Sequence, residues 1–200
     1  MIHSIYGLFW YNEGVVETKR EDEGMDMWKE RYEVSPFTQA VLADERADGK
    51  MISLVMEGEE SFYVNQSPKH IVDYACKYFG SSLKGRQAGT RDVTGITHKA
   101  PIAIDPMSGM YFFPTISPQN VNCSWIAHSH VDMIEPAGHQ QTRLVFKNQQ
   151  SVILDVSKGT IWNQIQRTAQ FRYKLNDRLQ YVSKPQFDHV AEPPLFHPKA

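Results

Sequence analysis

Three short β-type runs separated by glycine turns constrain this chain more than any other feature. Phe37 to Ala43 (FTQAVLA) alternates loosely in hydropathy, Arg46-Ala47-Asp48-Gly49 supplies a turn, and Met51 to Glu57 (MISLVME) follows as a second strand. Asp-Gly between two such runs is a strong hairpin signal, because both residues tolerate the left-handed backbone that tight turns use. Gly58-Glu59-Glu60 turns the chain again, and Ser61 to Asn65 (SFYVN) reads as a third strand. The spacing predicts a meander of short antiparallel strands that begins near Val34.

Helical signals follow. Ser67-Pro68 offers a hydroxyl cap and a proline at the first helical position. Ile71, Val72, Ala75, Tyr78 and Phe79 make an apolar stripe, and Gly80 ends it, so a helix is expected over 67–79. Ser81 to Gly89 (SSLKGRQAG) reads as a basic, glycine-containing loop. Two strands are expected to flank Pro101, and a turn at Met107-Ser108-Gly109 leads into Met110 to Pro114. Ser124 to Val131 reads as a strand, and Arg143 to Lys147 pairs with Ser151 to Val156 across Asn148-Gln149-Gln150.

Thr160 to Leu179 is the longest helical pattern. Ile161, Ile165, Ala169, Leu175 and Leu179 fall on one face. Arg167, Phe171, Lys174 and Arg178 fall within about 40° of one another on the opposite face. Arg172, near the apolar side, is expected to snorkel from the edge of the core. The fold class expected is α+β: a single domain of short antiparallel strands with two main helices, about 67–79 and 160–179.

Composition bounds the class. A chain of 200 residues with 41% hydrophobic side chains can build one real core. No apolar run approaches the roughly 18 residues that span a bilayer. Ile2 to Trp10 is apolar but lacks a basic start and a small-residue cleavage site, so it does not read as a signal peptide. Two cysteines, Cys76 and Cys123, fit a reducing compartment, and the expected location is cytoplasmic. Glu17 to Asp26 (ETKREDEGMD) has no apolar period. Residues 1–33 are therefore expected to form a mobile acidic extension, 34–182 the folded domain and 183–200 a proline-rich tail.

The net charge of −2 conceals a division. Residues 1–66 carry 6 Lys/Arg against 14 Asp/Glu, and residues 67–200 carry 15 against 9. Local charge, not the average, governs contact with a polyanion. Two basic regions stand out. The loop of Lys84, Arg86 and Arg91 is not a nucleotide P-loop, since Arg86-Gln87 stands where Lys-Ser/Thr is required and the loop follows a helix. A flexible Arg/Lys loop can lie along a DNA backbone or enter a narrow minor groove. The plainer reading is an ordinary exposed loop. From Lys158 to Lys184 there are six Lys/Arg and one acid, Asp177. A helix solvated for its own sake usually mixes signs to gain i,i+4 pairs, so this purity tilts toward a polyanion contact.

Other chemistry is thin. His128 and His130 would share a face of a strand and, with Cys123 and His98, could form a zinc site, although the spacing matches no strong zinc pattern. The plainer reading is a hydrogen-bonded pair of imidazoles. No Gly-x-Ser-x-Gly or His-Glu-x-x-His motif is present. Cys76 lies in an apolar helix and reads as core.

An ordered series of motifs then carries a resemblance. It runs through Phe62-Tyr63-Val64-Asn65, Ile71-Val72-Asp73, Cys76, Phe79-Gly80-Ser81-Ser82, Gly85-Arg86, Ala88-Gly89-Thr90 and Val93-Thr94. It continues through Ile96, His98-Lys99, Pro101-Ile102, Asp105-Pro106, Phe113-Pro114-Thr115, Cys123, Trp125-Ile126 and His128-Ser129-His130-Val131. Looser matches follow at Asn163-Gln164, Arg167-Thr168-Ala169 and Asp177-Arg178. The chain resembles the ComK family, the competence transcription factors of bacilli and their relatives. The resemblance implies a DNA-binding activator of DNA-uptake genes. It implies minor-groove reading of paired A/T-rich boxes by more than one subunit, and levels limited by an adaptor to an ATP-dependent protease.

That implication agrees with the charge. Arg or Lys in a narrow A-tract minor groove gains from its negative potential, and the degenerate code there gives A/T preference without a strict sequence. The candidate DNA-binding residues, chosen by charge and expected exposure, are Lys84, Arg86, Arg91, Lys99, Arg167, Lys174 and Arg178. No catalytic residue, metal or cofactor is expected. A homo-oligomer on double-stranded DNA is expected, with RNA polymerase and the protease adaptor as further partners and no membrane. A ComK-like paralogue with altered activation, a zinc-dependent enzyme and a pure interaction protein working through the acidic front are the alternatives.

Two segments depart from the family. Members begin near the segment resembling Tyr32-Glu33-Val34, whereas here about 30 residues precede it, and Met25 or Met27 would give a family-like start. If the acidic extension competes with DNA for the basic surface, deleting residues 1–26 should tighten binding. Pro194-Leu195-Phe196-His197-Pro198-Lys199 weakly resembles the aromatic-Pro-Lys element that the adaptor recognises.

Overall fold

The computed structural model describes the backbone of residues 28–183 and the side chains of 28–180. The acidic stretch 17–26, Met25, Met27 and the tail element 194–199 lie outside the described residues.

In chain order the elements are β1 (Trp28–Lys29), β2 (Thr38–Glu45), β3 (Met51–Glu57), β4 (Glu60–Val64), α1 (Pro68–Tyr78) and α2 (Leu83–Thr94). Then follow β5 (Ile102–Asp105), β6 (Met110–Pro114), β7 (Trp125–Ala127), β8 (Val131–Gly138), β9 (Gln141–Phe146), β10 (Ser151–Leu154) and α3 (Lys158–Ser183). The arrangement is α+β, as expected, but with three helices.

The meander forms as its turns dictate. Gly49, at φ +81°, donates its N–H to the Arg46 carbonyl at 2.9 Å, and β2 and β3 pair antiparallel from Val41↔Val55 outward. β3 and β4 pair likewise. Pairing reaches further back than Val34: Trp28 and Lys29 add a short parallel strand beside Tyr63 and Val64, and the Trp28 ring stacks on Tyr63. Tyr32 is also buried. Its hydroxyl donates to Glu57 at 2.9 Å, which secures the entry to β2.

The main sheet has seven strands in the order β1-β4-β3-β2-β7-β6-β5, and β10-β9-β8 form a second sheet. Strand alternation divides the interior in two. Val41, Val55, Phe62, Phe112 and Trp125 face one side with Ile71, Val72 and Cys76 of α1 and Leu83 of α2. Leu42, Leu54, Met56, Phe113 and Ile126 face the other, against Leu144, Phe146 and Val152 of the small sheet and Ile161 of α3. The seven-stranded sheet is therefore the middle of three layers.

Three expectations are corrected. No strand precedes Pro101; that stretch leaves α2 as an irregular connection. The strand at 124–131 is cut short, because His128–His130 form a 3-10 turn that redirects the chain into β8. The largest correction is Ser81–Gly89, which forms most of α2 instead of a loop. Ser82 caps it by accepting from the Gly85 N–H at 3.0 Å, and Gly95, at φ +77°, closes it in the left-handed form. Tertiary ties hold it: Leu83 and Thr90 are buried, and the Thr90 hydroxyl donates to the Pro101 carbonyl at 2.6 Å.

The register of α3 also differs from its hydropathy pattern. Ile161 is buried and Leu175 partly so, but Ala169 and Leu179 are exposed, while Phe171, expected on the charged face, is 3% exposed. The buried seam instead runs Ile161, Gln164, Thr168, Phe171. Two polar residues can lie in it because they are satisfied. Gln164 Nε2 donates to the Lys99 and Pro114 carbonyls at 3.0 and 2.7 Å, and the Thr168 hydroxyl donates to the Gln164 carbonyl at 2.6 Å.

Candidate nucleic-acid interface

The two helices that carry the basic regions of the sequence are neighbours. α2 and α3 pack against each other, and Val93 and Leu175 both rest on the cluster of Tyr111 and Phe171. Gln164 and Arg167 of α3 hydrogen-bond the connection that leaves α2, at Lys99 and His98. Lys174 and Arg178, seven and eleven residues beyond Arg167, lie on the same edge of α3. That edge faces α2.

The seven candidate cations divide by what their side chains do. Lys84 and Arg91 are exposed and seven residues apart, on one face of α2. Arg178 is exposed and Lys174 half-buried. Lys99 is half-buried in a left-handed backbone conformation, φ 47°. Arg86 and Arg167 are structural ties. Arg86 Nη2 donates to the Phe79 carbonyl at 2.8 Å, at the C-terminus of α1, with its Nε buried and unpartnered. Arg167 donates to the Gln164 side chain at 3.1 Å and to the His98 carbonyl, and burial lowers its pKa from the usual guanidinium value. Arg86→Ala is therefore expected to cost about 1–2 kcal/mol of stability through the missing charged hydrogen bond, read as a lower urea midpoint. Charge alone suggests an exposed Arg86; the Phe79 carbonyl corrects that expectation. Arg172, as expected, sits at the core edge, its guanidinium 5.5 Å from the centre of the Tyr111 ring.

Gly89 stands out on α2 for a different reason. It is exposed about 140° round the helix from Lys84, and nothing stands within 4 Å of where its Cβ would be. A helix-interior glycine costs roughly 0.5–1 kcal/mol relative to alanine, and here no steric reason within the fold requires it. Gly89→Ala is expected to raise stability by about that amount in thermal melts.

The residues of the zinc alternative do not assemble. His130 Nε2 lies 2.8 Å from the Pro36 carbonyl, His98 is exposed beyond α2, and Cys123 is buried. Among the described residues no group of three or more His, Cys, Asp or Glu is placed to hold a metal ion. Burial pushes the Cys76 thiol up to about 12 and the Cys123 thiol up to about 11, so neither is a ready thiolate. Burial, then the charge of Arg172, lowers the pKa of His128, whose Nδ1 is buried and unpartnered. A histidine lowered in the folded state binds protons more readily when unfolded. Stability is expected to be full above the ordinary histidine pKa and to fall as pH drops toward the folded value. His128→Gln should flatten that decline in urea titrations run across the acid range.

These features define a three-layer α+β domain with exposed cations on two helices that pack against each other. No described helix is long and apolar enough to cross a membrane. The ComK protein family model matches residues 29–180, and the chain belongs to that family. It is 43% identical over 152 residues to the competence transcription factor of Bacillus subtilis (strain 168), covering 76% of this chain and 79% of that protein. No solved structure matches.

Proposed function

We propose that this chain is a cytoplasmic, nucleoid-associated activator of competence genes that binds A/T-rich double-stranded DNA through the minor groove. The observation that carries this reading is the set of exposed cations on the packed pair α2 and α3. Exposed Lys84 and Arg91 share one face of α2, and Lys174 and Arg178 add positive charge on the adjoining helix. Exposed cations on adjoining helices suit a narrow, strongly negative groove. The 43% identity to a competence transcription factor supports the same reading. Action as a homo-oligomer, contact with RNA polymerase and control by a protease adaptor belong to the proposal and are supported by the family resemblance.

The test is binding to a labelled duplex with two A/T boxes, against a G/C-rich control, across a salt series. Tighter A/T binding that weakens steeply with salt is expected. Equal affinity for both duplexes would overturn the minor-groove reading.

A further inference from the structure

We propose that the outward face of α3 is a self-association surface, on which two copies pack their α3 helices antiparallel about a two-fold axis passing between residues 167 and 168. The proposal rests on the reading of this chain as an activator that acts on paired DNA boxes.

The face is unusual for a solvated helix. Trp162 is 54% exposed and Tyr173 75% exposed, with exposed Ala169 between them on the same line. Gln166 and Gln170 beside them are uncharged, in contrast to the cationic edge toward α2. Two hollows adjoin this line. One, of about 550 Å³, lies between the first half of α3 and β8, where Met133, Trp162 and Ile165 form an apolar wall and Asp132 and Lys158 also line it. The other, of about 400 Å³, lies along the second half beside Arg172 and Tyr173. An apolar hole and an aromatic knob thus lie on one face, about 16 Å apart along the helix.

A hole and a knob on the same face of one molecule are what an isologous pair requires. The two-fold places Tyr173 of each copy on Trp162 of the other and brings small Ala169 to the crossing. It also sets Arg172 of one copy level with residue 163 of the other, on the side of α3 where Asp132 sits. Asp132 makes no ion pair among the described residues, so a cation would be matched to an open carboxylate twice per dimer. Antiparallel helices additionally set opposite macrodipole ends side by side.

Sedimentation of the full chain and of Ala169→Arg tests the surface. The native chain is expected to self-associate, and the variant to need at least tenfold higher concentration to do so at an unchanged melting temperature. Should Ala169→Arg fold poorly, Tyr173→Ala serves instead, since its ring is largely in solvent. Register is tested by cross-linking with a short bismaleimide, Cys76 and Cys123 being buried. Ala169→Cys should cross-link, because packed helices lie about 8–10 Å apart and the two sites are offset by only about 4.5 Å. Gln180→Cys should not, its counterpart being about 37 Å away along the axis. A monomeric native chain, native-like association of Ala169→Arg, or equal cross-linking at both sites would overturn the proposal. The same samples are titrated with the A/T duplex. Intact DNA binding beside native-like association of the variant rejects this surface alone. Absent DNA binding beside register-specific cross-linking rejects the DNA reading alone.

Discussion

Trp125→Ala is expected to lower the stability of the domain by about 3–5 kcal/mol, read from the midpoint of a urea titration at unchanged slope. Trp125 is 0% exposed and sits on β7 between Val41 of β2 and Pro114 of β6. Its ring fills the layer between the sheet and α1 and α2, so truncation leaves a cavity that β-strand backbone on both sides cannot close. Its Nε1 is buried without a partner, which means the ring contributes through packing and not through a hydrogen bond. Trp125→Phe should therefore cost less than alanine, since it keeps most of the ring and removes an unsatisfied donor. An unshifted midpoint for the alanine variant would contradict this account.

The second large effect concerns affinity. Lys84→Ala combined with Arg91→Ala should weaken binding to the A/T duplex by roughly tenfold to a hundredfold and lower the salt slope by about two, one unit for each phosphate no longer neutralised. Both side chains are exposed and neither forms an ion pair among the described residues, so the melting temperature should hold. Arg167→Ala is the contrasting control: it releases the His98 carbonyl and the Gln164 side chain, so it should lower stability first. An unchanged salt slope in the double variant would remove α2 from the interface.

The strands of the meander are legible because each carries its own signal: short apolar runs between residues 37 and 65, bounded by turns at Asp48-Gly49 and Gly58. The Ser67-Pro68 start of α1 was legible for the same reason. α2 was hidden by its composition. Gly85 and Gly89 each weaken a helix, and Leu83 and Val93 are its only large aliphatic residues. Its brackets were nonetheless present, Ser82 as a cap and Gly95 as a stop, with Leu83, Arg86, Thr90 and Val93 at helical spacing. The inner face of α3 was misread because hydropathy cannot foresee that Gln164 would be buried by two carbonyl acceptors that arrive from Lys99 and Pro114. The same blindness placed Arg86 and Arg167 among free cations: sequence shows a charge, but not the orphan carbonyl that claims it.

The junction of β2 with β7 carries a consequence for how the chain comes off the ribosome. The seven-stranded sheet consists of two locally connected pieces, β2-β3-β4 with β1 at its edge and β5-β6-β7, joined by pairing at Ala40↔Ile126 and Val41↔Trp125. A further bond from the Ala43 N–H to the Ser124 hydroxyl, at 2.9 Å, completes the junction. Partners so distant in sequence close late, since the loop entropy must be met before the contact returns anything. During synthesis the first piece waits with the open edge of β2 until Trp125 and Ile126 have cleared the exit tunnel. For that interval the nascent chain presents an unpaired strand edge, the form in which a chaperone or a protease meets it first.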